Sequence, residues 1–123
     1  MKKILTLIVI IFSIQSVKAQ LANTSWIGNF KIPDDTQMLA RFTQDSLLLG
    51  YANNDEIIER MKYSIAGDTL TITKLDGISP CSTTAPATYK MMMKDEKLYI
   101  SSLLDDCPER ADAWPAGGMI KKE

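Results

Sequence analysis

The chain has 123 residues, of which 46% are hydrophobic, and its 14 Lys and Arg nearly balance its 15 Asp and Glu. It contains no histidine, which excludes Ser-His and Cys-His nucleophile systems and removes the commonest zinc ligand. A nucleic-acid binder normally carries a basic patch, but the longest basic run after the N-terminal segment is Lys121-Lys122, so we expect no nucleic-acid partner.

Residues 1–19 have the three-part layout of a secretory signal peptide. Met1-Lys2-Lys3 is cationic, residues 4–14 are apolar, and the small residue Ala19 ends the segment. The apolar run of about 11 residues is shorter than the roughly 20 that cross a bilayer. We predict cleavage after Ala19 and a single mature domain, residues 20–123, that is secreted or periplasmic and has no stable membrane insertion. An uncleaved membrane anchor is the alternative.

Beyond this segment, short apolar blocks separated by turn residues predict an all-β domain. Most blocks are joined by short hairpins, which favours up-and-down antiparallel order. A sheet of about eight strands tends to curl and close, so we expect a small β-barrel, with a two-sheet sandwich as the alternative. The predicted strands are residues 24–32, 37–43, 46–51, 57–65, 69–73, 87–94, 97–103 and 118–122.

The fourth predicted strand, residues 57–65, alternates between apolar and polar side chains. This alternation places Ile57, Glu59, Met61 and Tyr63 on one face of the sheet. A helical turn at the start of this segment is the alternative, but the two-residue period favours a strand.

Two long loops, predicted at residues 75–86 and 105–118, each contain one cysteine, Cys81 and Cys107. In an exported protein an even pair predicts a disulfide. In an antiparallel hairpin, the numbers of the two residues in each pair have a constant sum. The numbers of Cys81 and Cys107 come close to the sum for the hairpin that turns near residue 95, so we expect the two cysteines to lie near each other beyond its open end. Their bridge closes a loop of about 26 residues, which stabilises by about 3 kcal/mol in the chain-entropy model. A redox switch is the alternative, but no CxxC motif supports it.

Three features carry a resemblance to a known family: the opening Asn23-Thr24-Ser25-Trp26-Ile27-Gly28, the threonine-rich hairpin strands, and Cys81 followed by Asp106-Cys107-Pro108-Glu109-Arg110. With these, residues 21–122 resemble the lipocalin-like small secreted bacterial domains, which are calycin-type β-barrels. The resemblance implies a barrel that begins near a Trp, and a small apolar ligand in or near its mouth. By strand count, Arg110 lies in the loop before the last strand, at the opposite barrel end from Trp26.

Candidate ligand-binding side chains are those expected to line the barrel interior or its mouth. A packed core of the same side chains is the alternative, and it is the common arrangement in a barrel of this size. The candidates are Trp26, Phe30, Phe42, Tyr63, Tyr89, Met91, Ile100 and Arg110.

Three other patterns have weaker functional interpretations. Met91-Met92-Met93 contains thioethers of the kind that bind Cu(I), but only alternate residues share a strand face, so no metal site is predicted. Asp106 is expected to pair with Arg110 near Cys107. Trp114 in the same loop either caps the barrel or belongs to a partner surface.

The sequence thus predicts an exported, non-enzymatic domain with no catalytic residues and no cofactor. The leading hypothesis for its function is binding of a small apolar ligand in the barrel. The alternative is a solid-core structural or protein-interaction module of the cell envelope, for which the sequence identifies no protein partner.

Overall fold

Residues 21–54 and 56–122 are described by a computed structural model, and the predicted signal peptide, residues 1–19, lies outside them. Eight strands and one short helix account for most of the described chain. In chain order they are β1 (Thr24–Lys31), β2 (Asp35–Phe42), β3 (Ser46–Tyr51), β4 (Ile57–Ala66), β5 (Thr69–Gly77), β6 (Ala87–Lys94), β7 (Lys97–Leu104), α1 (Pro108–Ala111) and β8 (Met119–Lys122).

The strands close into a barrel in which each strand is antiparallel to the next one in sequence. β8 completes the ring by pairing with β1, where Ser25 lies opposite Lys122 and Ile27 lies opposite Ile120. This closure pairs the two outermost strands, which would be exposed edges in an open sheet. The predicted up-and-down antiparallel barrel is therefore confirmed, and the two-sheet sandwich is wrong.

Side chains from alternate positions of the strands fill the barrel interior. Full burial of one Leu or Phe side chain stabilises the fold by about 1.5–3 kcal/mol relative to exposure, so this packing is the main force that holds the sheet closed. The largest fully buried side chains are those of Tyr89, Phe30, Phe42, Leu21, Met38, Leu47, Leu70, Ile72, Leu98 and Met119.

The two ends of the barrel differ in the length of their connections. At one end, here called the closed end, short hairpins join β2 to β3, β4 to β5 and β6 to β7. At the other, the open end, lie the β1–β2 and β3–β4 connections and two long loops, residues 78–86 and 105–118. The predicted disulfide is present there: Cys81 and Cys107 join the two long loops with their Cα atoms 5.4 Å apart.

Two elements at the open end differ from the sequence prediction. β5 continues to Gly77, beyond the predicted loop start at Leu75, because Asp76 and Gly77 still pair with β4. The predicted loop at residues 105–118 contains the helix α1, whose first residue, Pro108, suits the first turn because it has no N–H to leave unpaired. No helix in the described part of the chain is long and apolar enough to cross a bilayer.

A β-bulge in β4 changes the face that Ile57 occupies relative to the rest of the strand. Leu49 pairs with Glu59 whereas the next residue, Gly50, pairs with Ile57, so Ile58 is an extra residue. A bulge interrupts the two-residue alternation. Ile58 and Glu59 are therefore both buried, and the prediction that Ile57 shares a face with Glu59 is wrong: Ile57 is half-buried and lies beside Arg41 and Leu48.

The β6–β7 hairpin turns through two residues that both have a left-handed backbone, Asp95 with φ 53° and Glu96 with φ 66°. Positive φ at both central residues is the requirement of a type I′ turn, which matches the twist of the flanking strands. An L-residue with a Cβ is strained in this region, and glycine is not.

We therefore expect Glu96→Gly to raise the free energy of unfolding by about 1 kcal/mol, since it relieves the strain of a Cβ at positive φ. Urea denaturation measures the change. Glu96→Ala is the matched control, because it removes the carboxylate but keeps the Cβ, and it should give no gain. An equal gain from both variants would contradict backbone strain as the cause.

Candidate ligand-binding cavity

A cavity of about 260 Å³ lies at the open end, between the inner barrel wall and the long loops. It is slightly smaller than the roughly 300–1,000 Å³ of typical small-molecule pockets. Its lining is mostly apolar, with four charged residues among the fifteen. The lining residues are Phe30, Lys31, Ile32, Pro33, Leu49, Ile58, Glu59, Met61, Ile78, Ser79, Pro80, Glu109, Arg110, Ala113 and Trp114.

Trp114, from the loop that follows α1, caps the barrel over this cavity, which is the first of its two predicted roles. Its ring lies 5.3 Å from that of Phe30 and 5.8 Å from that of Tyr89, measured between centroids. The backbone N–H of Lys31 donates to the carbonyl of Ala113 at 3.0 Å. The Trp114 loop is thus attached to β1 and packs on two inward-facing aromatic rings.

A buried ion pair anchors α1 beneath this loop. Arg110 in α1 donates from Nε and Nη2 to the two carboxylate oxygens of Asp105, at 2.7 and 2.8 Å. The Asp105 side chain is fully buried, and that of Arg110 is 8% exposed. Asp105 also accepts hydrogen bonds from the Tyr89 hydroxyl and, at 2.9 Å, from the backbone N–H of Cys107. One carboxylate therefore joins β6, α1 and the disulfide.

The protonation states of this network are fixed by its contacts. Burial, followed by the hydrogen bond to the Asp105 carboxylate, raises the pKa of Tyr89 well above its usual value. Burial acts to raise the pKa of Asp105, but hydrogen bonds from Arg110, Tyr89 and Cys107 outweigh it and the pKa is lowered. The Asp105 hydrogen bond raises the pKa of Arg110. At neutral pH the site therefore holds a charged pair beside a neutral tyrosine.

In the described part of the chain, two buried side-chain nitrogens have no hydrogen-bond partner: Arg110 Nη1 and Trp114 Nε1. The Trp114 N–H acts to lower the pKa of the nearby Tyr89 hydroxyl, but the geometry between them is not that of a hydrogen bond. Buried polar groups in folded proteins are almost always paired. Both unpaired nitrogens belong to residues that line the cavity.

A second buried pair, Glu59 with Lys74, anchors the other long loop. Lys74 Nζ lies 3.8 Å from Glu59 Oε2, and both side chains are buried. Ser79 donates from its hydroxyl to Glu59 Oε2 and from its backbone N–H to Oε1 at 3.2 Å. Lys74 Nζ donates to the Ser79 carbonyl at 2.5 Å. Gly77 passes so close that a Cβ there would collide with Glu59 Oε1.

Of the eight candidate site residues, the structure places Phe30 and Arg110 in the cavity lining. The other six are buried in the packed barrel but do not line the cavity: Trp26, Phe42, Tyr63, Tyr89, Met91 and Ile100. Trp26 lies at the closed end, where its indole N–H donates to Thr24 Oγ1 at 2.9 Å. Tyr89 does not line the cavity itself, but it contacts Trp114, which does.

The polar anchors were not among the predicted site residues, although the sequence contains a signal for one of them. Glu59 falls on the inward face by the alternation of β4, and an inward charge in a small barrel requires a partner. Its partner Lys74 continues the inward period of Leu70 and Ile72. The predicted pairing of Arg110 with Asp106 is wrong: Asp105 makes the pair, and Asp106 is exposed.

Asp105 gives a test of this network by pH. Because its pKa is lowered in the folded protein, Asp105 stabilises the fold above the pKa of an unfolded Asp, about 3.9, and the stabilisation is lost as pH falls through the folded value. We expect Asp105→Asn to lower the free energy of unfolding by about 3 kcal/mol at neutral pH, since it leaves the Arg110 charge buried without its carboxylate partner.

Urea denaturation of the wild-type protein and the variant, from neutral pH down through the acid range, measures this. The difference in the free energy of unfolding between wild-type protein and the variant should become smaller as the pH falls below about 4. Asp106→Asn, at the exposed neighbouring position, is the control and should change stability by less than about 0.5 kcal/mol. Equal effects of the two variants at neutral pH would contradict the network.

Comparison with protein-family profiles, with curated proteins and with solved structures finds no match to this chain. The antiparallel barrel of eight described strands is consistent with a calycin-like fold, and membership of the lipocalin-like domains stays a prediction. The chemistry of the cavity and of the side chains around it is therefore the basis for a functional proposal.

Proposed function

We propose that this domain is a non-enzymatic binding protein that holds a small, mainly apolar molecule in the open-end cavity. The observation that carries the proposal is the cavity itself, about 260 Å³ between the barrel wall and the long loops. Apolar side chains such as Phe30, Ile58, Met61 and Trp114 form most of its lining. Transfer of apolar ligand surface from water into such a space is favourable.

The tethering of the loops supports this function, because a preformed cavity avoids the entropic cost of ordering its walls when a ligand binds. The loop of residues 78–86 is held by Ser79 on Glu59, and the loop of residues 105–118 by Asp105 on the Tyr89 hydroxyl and by the Ala113 carbonyl on the Lys31 N–H. The disulfide joins the two loops. These attachments together hold the mouth in one arrangement.

We further propose that the domain works outside the cytoplasm. The three-part N-terminal segment, residues 1–19, supports export. The disulfide between Cys81 and Cys107 supports an oxidising destination, because such bonds persist there and are rare in the cytosol.

A second candidate function, contact with a protein partner, is favoured by exposed aliphatic side chains at the open end. Ile78 and Leu104 are 69% and 68% exposed, and Leu75 and Leu103 are also exposed. All four lie at or just beyond the ends of β5 and β7. Single exposed aliphatic residues are ordinary, but four at the open end, of which Ile78 also lines the cavity, suit a surface that a partner covers when ligand is transferred.

Blocking the cavity tests the proposed function. The probe is toluene, titrated into isotopically labelled protein and followed by nuclear magnetic resonance, where signals of Phe30, Met61 and Trp114 should shift. Ala113→Phe places a ring into the lining and should weaken toluene binding by about tenfold or more, because it removes the volume that the ligand needs.

The matched control is Ala116→Phe, the same change at an exposed position in the same loop that does not line the cavity. It should leave toluene affinity unchanged. If wild-type protein does not bind toluene, or if the two variants bind it equally well, the cavity is not the binding site.

A further inference from the structure

A cleft of about 410 Å³ lies on the outer wall at the closed end, away from the open-end cavity. Three of its seven lining residues are cationic, Arg41, Lys121 and Lys122, and it is called the basic cleft below. We propose that the basic cleft is an anion site that binds the phosphoryl group of a phosphate monoester, either a free ester or a lipid headgroup. The site is independent of the proposed function, because it shares no lining residue with the cavity.

The pairing of three neighbouring strands sets two of the cations in place. Arg41 on β2 lies opposite Ser25 on β1, and Ser25 in turn lies opposite Lys122 on β8. Side chains of directly opposite residues share one face of a sheet, and this face is the outer one because Arg41 and Lys122 are exposed. Since neighbouring strands lie about 4.8 Å apart, the Cα atoms of Arg41 and Lys122 are about 10 Å apart. Their long side chains can therefore meet over the Ser25 hydroxyl, which is itself a donor.

The described residues leave the charge of the basic cleft uncompensated. No ion pair within residues 21–54 and 56–122 includes Arg41, Lys121 or Lys122, and none of the described lining residues is acidic. Like charges held side by side repel one another, and an anion placed between them replaces that repulsion with attraction. The cleft thus has both the donors and the charge that an anion requires.

The kind and number of the cations favour a phosphate monoester over a carboxylate. The Arg41 guanidinium donates through a planar fork that matches two phosphate oxygens, whereas each lysine ammonium acts as a point charge. A phosphate monoester presents three acceptor oxygens and carries nearly two negative charges at neutral pH, so one such group can contact all three cations. The cations extend over only three strands, which suits a single phosphoryl group and is too short for the backbone of a nucleic acid.

The charges at the open end direct an anion away from the cavity. The summed charges of a protein surface create a potential that steers charged ligands. An anion is therefore repelled by the acidic open end and attracted by the basic cleft, so the two sites take different molecules. The exposed acidic residues at the open end include Asp34, Asp35, Glu56, Asp106, Glu109 and Asp112.

Glycerol 3-phosphate is the probe for the site, because it is a phosphate monoester and is also the headgroup of phosphatidic acid. It is titrated into the mature, disulfide-bonded protein and followed by nuclear magnetic resonance, with acetate at the same ionic strength in a parallel titration. We expect saturable shifts of the backbone amide signals of Ser25, Arg41 and Lys122. Acetate should bind at least about tenfold more weakly, because it offers fewer oxygens and less charge.

The double variant Arg41→Met with Lys122→Met removes the cations on both sides of Ser25. Both positions are exposed, so the fold should be kept, and the affinity for glycerol 3-phosphate should fall by at least about tenfold. The matched control is Lys62→Met with Lys94→Met, which removes the same charge at two exposed positions outside the cleft. Because salt screens distant surface charges, the control should keep the affinity within about twofold.

Sedimentation with vesicles identifies the source of the phosphoryl group. If phosphatidylcholine vesicles that contain phosphatidic acid carry down wild-type protein but not the cleft variant, the group belongs to a lipid. Saturable binding of glycerol 3-phosphate without sedimentation assigns it to a free ester. Either result supports the site.

Three results would overturn the site or its ligand class. Wild-type protein that neither shows saturable shifts at millimolar glycerol 3-phosphate nor sediments with the vesicles has no such site. Equal weakening in the two double variants would show that net charge alone attracts the anion. Acetate that binds as tightly as glycerol 3-phosphate would contradict the phosphate monoester.

Discussion

The forked ion pair between Asp105 and Arg110 is the interaction on which the open end of the barrel depends. Asp105 is the first residue after β7, and it holds α1 through Arg110, the disulfide through the N–H of Cys107, and β6 through the hydroxyl of Tyr89. The position of α1 in turn sets where the chain continues to Trp114, which packs on the inner aromatic rings. Without this pair the capping loop would lose one of the attachments that place its tryptophan over the cavity, beside the disulfide and the Lys31–Ala113 hydrogen bond.

Buried charged side chains lie at the open end of the barrel, whereas aromatic side chains pack together at its closed end. At the closed end Phe42 and Tyr63 pack edge to face with centroids 5.2 Å apart, and the Tyr63 hydroxyl donates to the Thr43 carbonyl at 2.6 Å. At the open end, Glu59 on β4 and Lys74 on β5 are buried charges and therefore require partners. They pair with each other, and Lys74 also donates a hydrogen bond to the Ser79 carbonyl. A buried ion pair is a weak source of stability but fixes geometry well. The paired charges hold the loops in place above the apolar wall without filling the space beneath them.

The strands and the disulfide could be predicted from the sequence because both follow from local periodicity. Two-residue alternation identified the inward aromatic residues, and the constant sum across the last hairpin brought Cys81 and Cys107 together. The cavity could not be predicted in the same way, because most of its wall comes from loops and from a bulge. The bulge leaves the extra residue Ile58 buried next to the buried Glu59, which no alternation pattern anticipates. Whether Asp105 or Asp106 pairs with Arg110 depends on where β7 ends. The strand ends at Leu104, one residue beyond its predicted end.

The open end holds an apolar space that tethered loops keep open. A crystal structure determined under xenon pressure tests it most directly, because xenon enters dry apolar cavities and scatters strongly. We expect a xenon atom among Phe30, Ile58, Met61 and Trp114, with the Asp105–Arg110 pair intact. A structure in which Trp114 and the long loops collapse onto the barrel wall, with no xenon between them, would contradict it.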